Sequence, residues 1–81
     1  MIKEVTNINL NSIDKVKQFA RIAQKTDSLM ILSQNGSTDF IDAKSILGIF
    51  SMNLLTPFHL KIETDDANEI DKISEEVKQF Q

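Results

Sequence analysis

The sequence predicts an α+β fold in which helices stack on one face of a mostly antiparallel sheet of four strands. Three observations carry that expectation. Two long stretches repeat their apolar residues at helical spacing, residues 58 to 64 alternate strictly, and Asn35-Gly36 separates two short apolar runs. The resulting order, β-α-β-β-α-β-α, favours helices gathered on one side of the sheet.

The elements follow along the chain. Ile2, Val5, Ile8 and Leu10 fit neither strict alternation nor a helix well, and residues 2 to 8 are read as a strand. In SIDKVKQFARIAQK, residues 12 to 25, Ile13, Val16, Phe19, Ala20, Ile22 and Ala23 fall on one helical face. Ser12 is its natural N-cap, because its hydroxyl can accept a bond from a first-turn N–H. LMILSQ, residues 29 to 34, is too short and too uniformly apolar for a helix, and FIDA follows NGSTD. Asn35 and Gly36 both tolerate positive φ, so these runs become two antiparallel strands joined near residues 35 to 38 by a loop longer than two residues. Residues 45 to 53 form a short helix behind Ser45, ended by Thr56-Pro57. In FHLKIET, residues 58 to 64, Phe58, Leu60 and Ile62 point one way and His59, Lys61 and Glu63 the other. Asp66 and Glu69 then resemble a capping box, and Ala67, Ile70, Ile73, Val77 and Phe80 mark the inner stripe of a last helix.

A chain of 81 residues makes a single domain, residues 1 to 81, of a size that buries about 60% of its unfolded surface. With 41% hydrophobic and 26% charged residues it belongs with ordinary globular proteins. There is no cysteine, which removes disulfides, thiolate metal sites and thiol nucleophiles and suits a cytoplasmic location. No apolar stretch approaches the roughly 18 residues a membrane span needs, and no signal segment is visible. The net charge of -3 argues against a broad nucleic-acid surface and leaves protein partners as the expectation. The two glycines stand apart in different elements, so no phosphate-binding loop exists; no cofactor or metal site is indicated.

The short helix raises the functional question. Ile46, Leu47, Ile49 and Phe50 cover well over half of its circumference, and only one side can pack inward. Either the helix is half-sunk and all four side chains are core, or part of them forms an exposed apolar surface of the kind that marks a docking site. Gly48 in its middle costs up to ~1 kcal/mol relative to alanine, which points to a close backbone approach or tight packing on the sheet.

These residues carry a resemblance. Lys44-Ser45-Ile46-Leu47-Gly48-Ile49-Phe50-Ser51-Met52, following the Asn35-Gly36 hairpin, is similar to the K-S-I-x-G-[VIL]-[MF]-S-[LM] segment of HPr, the phosphocarrier protein of the bacterial sugar phosphotransferase system. Element order, element lengths and size match over nearly the whole chain. The resemblance implies an open-faced β-sandwich, four antiparallel strands covered on one face by three helices. It also implies that Ile46, Leu47, Ile49 and Phe50 belong to a docking surface for enzyme I and sugar-specific enzyme II components. Ser45 stands where many Gram-positive relatives carry a serine phosphorylated by a dedicated HPr kinase, although as an N-cap it has a structural role without any kinase.

The family's relay needs a histidine at the start of the first helix, within G-[IL]-H-A-R-P, with helix amides and an arginine to hold the phosphoryl charge. Counting back from the hairpin, with a loop some two residues longer, aligns that motif with Leu10-Asn11-Ser12-Ile13-Asp14-Lys15. Ser12 occupies the histidine position and Asp14 the arginine position. A phosphoserine ester is too stable to pass its phosphoryl group onward, Asp14 adds repulsion, and Lys15 is only a point charge. Ser12 is expected to be a cap. The single histidine, His59, is expected to face solvent from the last strand. The sequence therefore describes an HPr-like regulatory or protein-binding module without a histidine acceptor, not an enzyme. Two alternatives stand beside it: a phosphocarrier using Ser12 or His59, and a structural protein that dimerises through the apolar helix.

Overall fold

The computed structural model describes residues 1–81. Strand β1 (Ile2–Ile8) leads to helix α1 (Ile13–Gln24), strands β2 (Leu29–Ser33) and β3 (Ile41–Asp42), the short helix α2 (Ile46–Phe50), strand β4 (Phe58–Glu63) and helix α3 (Ala67–Val77), which tightens into a 3-10 turn at Lys78–Phe80. All pairings are antiparallel and the strand order is β1-β4-β2-β3. Helices cover one face and leave the other open. The expected architecture is therefore observed.

The strict alternation of β4 has its consequence here. Phe58, Leu60 and Ile62 are buried together with Met30 and Leu32 of the neighbouring strand, beneath Val16, Phe19, Ala20 and Ala23 of α1 and Ile70, Ile73 and Val77 of α3. Burying a side chain of this kind contributes about 1.5–3 kcal/mol. Phe19 meets Phe80 edge to face with ring centroids 5.3 Å apart, which joins α1 to the end of α3. Asn9 N donates to Phe80 O at 2.7 Å, so the last turn is drawn towards the end of β1.

The awkward apolar pattern of the first strand has a local cause. Val5 pairs with Leu60 and Ile8 with Phe58, so Thr6 and Asn7 share one position opposite His59. This bulge lets Val5 and Ile8, three residues apart, both turn towards the helices. Asn7 absorbs the distortion at φ 59°, a left-handed conformation that asparagine tolerates better than most residues.

Several boundaries differ from expectation. Phe40 and Ala43 lie outside β3, which is cut to two residues because the chain turns at once: Lys44 N donates to Asp42 Oδ1 and Ser45 N to Asp42 O, both at 2.9 Å. Gln34 leaves β2 because its carbonyl accepts from Ser37 N at 3.2 Å in the turn, while its side-chain amide donates to Asn53 O and Thr56 O. The hairpin loop thus spans residues 34–40, with Gly36 at φ 82° in its turn. Ile13 and Ala67, read as inward residues, are exposed; each is the first residue of its helix. The capping box is only half formed. Asp66 Oδ1 accepts from Asn68 N and Glu69 N, but the Glu69 carboxylate accepts a 2.6 Å bond from the Thr26 hydroxyl rather than reaching back. Thr26 is buried, so that bond satisfies its hydroxyl and ties the end of α1 to the start of α3.

Candidate functional site

Register fixes how the two candidate serines relate. Ile8, at the end of β1, lies opposite Phe58, at the start of β4. The chain leaves Ile8 for α1 and arrives at Phe58 from α2, so the N-terminus of α1 and the segment 51–57 share one end of the sheet. At the opposite end, Gln24 Nε2 of α1 donates to Lys44 O beside the start of α2, at 3.0 Å. Helices α1 and α2 therefore run side by side in opposite directions. Ser12 and Ser45 cap opposite ends of this pair.

Both caps are formed. Ser12 Oγ accepts from Lys15 N at 3.2 Å, and Ser45 Oγ accepts from Gly48 N at 3.1 Å. Both residues are exposed. Around Ser12 stand Asp14, exposed in the first turn, and Lys15, whose Nζ is held by Asn11 Oδ1 at 3.1 Å.

The four apolar residues of α2 divide three ways. Ile49 is 0% exposed and belongs to the core, which corrects its place among the solvent-facing docking residues. Ile46 is half-buried against that core. Leu47 is 82% exposed and Phe50 36%, and at a spacing of three they share one side of the helix. A helix of five residues makes about one and a half turns at 3.6 residues per turn, so it has one inward position per turn and the rest stay outside. Gly48 explains how it sits so low. A Cβ built there would lie 2.8 Å from Ile41 Cγ2 and 3.0 Å from Ser45 Oγ, so glycine lets α2 press onto β3 and keeps its cap.

Sequence reasoning missed Leu55, which is 85% exposed in the loop after α2, and Phe40, exposed ahead of β3. Their only signal was an apolar residue beside Thr56-Pro57 and another directly after NGSTD. Gln34, buried under the 53–56 segment, shapes that loop and was likewise not singled out.

His59 lies on the open face, away from both serines, with Nε2 3.1 Å from Glu4 Oε1. A phosphoryl group on that nitrogen would meet a carboxylate. Asp65 and Asp66 stand at the start of α3, where Asp66 is the cap; no cluster of three metal-ligating side chains forms anywhere in the chain. No helix is long and apolar enough to cross a membrane.

No protein-family model matches the sequence, and no curated protein matches it. Solved structures do. HPr-C-His from Thermoanaerobacter tengcongensis superposes with a TM-score of 0.69 at 25% identity, over 95% of this chain and 92% of that one. The phosphocarrier protein HPr from Bacillus anthracis gives 0.64 at 21%, over 95% of both chains. A histidine-containing phosphocarrier protein from a mycoplasma gives 0.65 at 18%, over 99% of this chain and 90% of that one. With four antiparallel strands in the order β1-β4-β2-β3 and three helices on one face, the chain has the open-faced sandwich fold of the HPr phosphocarrier proteins.

Proposed function

We propose that this protein is a cytoplasmic HPr-like binding module that meets components of a phosphotransferase system without carrying phosphate on histidine. One observation carries the reading: the N-cap of α1, where the family motif would place its histidine, holds Ser12, with Asp14 beside it, while the only histidine sits on the opposite face of the sheet. Ser12 Oγ is engaged in capping, and Asp14 puts a carboxylate in the same first turn. Neither feature favours an incoming phosphoryl group.

Docking is assigned to the outer side of α2, with Leu47 and Phe50 making contact, Ile46 at the margin and Ile49 holding the helix in place from below. Incubated with enzyme I and phosphoenolpyruvate, the protein is expected to keep its mass. An acid-labile gain of one phosphate would overturn the non-carrier assignment, and Ser12→Ala and His59→Ala variants would then identify the acceptor.

Ser45 is the candidate for regulation. Its hydroxyl is exposed beside the docking side chains, and a phosphate there would stand at the free amides of the first turn of α2. A purified HPr kinase is expected to add one phosphate to the protein and none to Ser45→Ala. The melting temperature should change little, because the added charge is solvated; binding through Leu47 and Phe50 should change instead. No incorporation at Ser45 would remove this part of the reading.

A further inference from the structure

The outer edge of β1 lies across the sheet from β3, on which α2 packs. The two edges of the sheet are treated differently. Strand β3 is two residues long, whereas β1 runs for seven and is paired on one side only. Long unpaired edges offer a row of backbone donors and acceptors to any extended chain.

The direction of those groups follows from the ladder. Met1 and Thr64 exchange both backbone bonds, at 2.8 and 3.0 Å, so the period of two turns Lys3 and Val5 towards β4 as well. The N–H and C=O of Ile2, Glu4 and Thr6 then point outwards. Gln81 confirms the direction, since its Nε2 donates to Thr6 O at 2.9 Å, as an added strand would. Between this edge and α3 lies a groove of about 270 Å³ lined by residues 3–6 of β1 with Ser74, Lys78 and Gln81. Side chains of an added strand would alternate between that groove and the open face.

A second copy of this chain is disfavoured in the two-fold registers that pair more than residues 1–3 of the strand. Two-fold antiparallel pairing centred on Lys3 sets Lys3 against Lys3, and pairing centred on Glu4 sets Glu4 against Glu4; like charges directly opposite are destabilising. Pairing centred on Val5 sets Lys3 opposite Asn7 and runs into the bulge there. Charge complementarity therefore selects a different chain. Lys3 has no acidic partner in the protein, and Lys78, paired to Glu75 at 2.9 Å, adds a second cation to the groove. Glu4 presents an exposed carboxylate on the open face, shared with His59, whose Nε2 lies 3.1 Å from Oε1.

We infer that β1 accepts an extended segment of another protein as a fifth, antiparallel strand, with an acidic residue opposite Lys3, a basic residue opposite Glu4 and an apolar residue opposite Val5. The main-chain bonds supply the docking and the ordered charge pair the choice of ligand.

The probe is the blocked peptide acetyl-Thr-Val-Lys-Glu-Val-amide, titrated into nitrogen-15-labelled protein and followed by amide shifts. The amides of Ile2, Glu4 and Thr6 are expected to move downfield as they gain acceptors, with those of α2 unmoved. Exchanging the central Lys and Glu of the peptide should weaken binding about threefold to tenfold. The doubly exchanged protein, Lys3→Glu with Glu4→Lys, should reverse that preference while its melting curve confirms that it is folded. The inference fails if no edge amide moves at about 5 mM peptide, well above a ~1 mM Kd. It fails equally if the shifts map to α2, if both charge orders bind alike, or if the edge amides shift with protein concentration alone, which would make a second copy the occupant. None of these outcomes depends on enzyme I or on Ser45, so the proposed function stands or falls separately.

Discussion

Ile49→Asp is expected to abolish cooperative folding, whereas Leu47→Asp, two residues earlier on the same helix, leaves it intact. Ile49 is completely enclosed within the core. A carboxylate there must either ionise in an apolar site or be protonated with no donor or acceptor arranged for it, and it also removes the packing of the isoleucine. Loss of packing costs about 2–5 kcal/mol and the unpaired polar group about 1–3 more. Small domains have about 5–15 kcal/mol in total, and one of this size lies towards the lower end. The thermal melt by circular dichroism should lose its transition or shift downwards by tens of degrees. Leu47 is mostly in water, and surface changes of that kind stay within about 0.5 kcal/mol. Its melt should move by no more than a few degrees. This contrast makes Leu47→Asp the right variant for testing docking, since loss of a partner by Ile49→Asp would report only loss of the domain.

Installing the missing pair, Ser12→His with Asp14→Arg, is expected to give a protein that gains one acid-labile phosphate from enzyme I and phosphoenolpyruvate where the original gains none. The backbone already provides what the chemistry needs: position 12 is the N-cap, with φ -147° and ψ 157°, so a side chain there stands at the unpaired amides of the first turn. A histidine would present a ring nitrogen to the phosphoryl group, and the arginine would replace a repelling carboxylate with a charged, bidentate donor. The exchange removes a serine cap, at a cost of about 1 kcal/mol, and trades an anion for a cation at a helix start, at about 0.3–1 kcal/mol. Both costs are within what a folded domain tolerates. Ser12→His alone should accept less, because Asp14 still faces the incoming charge. Mass spectrometry before and after brief acid treatment reads the result. Failure of the double variant with a cognate enzyme I would count against α2 as an enzyme I docking surface.

Long elements were legible from residue order. Helix α1 and the body of α3 follow a repeat sustained over three turns, and β4 follows strict alternation; in each, periodicity names the buried face because the element is longer than its period. The caps Ser12, Ser45 and Asp66 were equally legible, since capping is a local bond between a side chain and amides two or three residues away. The bulge in β1 was visible only as a disturbance, Val5 and Ile8 being three apart, with nothing to say whether the strand slipped or ended. Glu69 was misread because its local partner, the Asp66 amide, lost to Thr26, 43 residues earlier. Such competition has no trace in residue spacing.

The amino-acid sequence determined the element order, the absence of histidine from the start of α1, and the alternation that buries one face of β4. Only the tertiary structure decided which side chains of α2 reach water, because a five-residue helix is shorter than two turns and has no period of its own to declare a face. The contact of Gly48 with Ile41 sets how that helix lies on the sheet, and that setting buries Ile49 while leaving Leu47 outside.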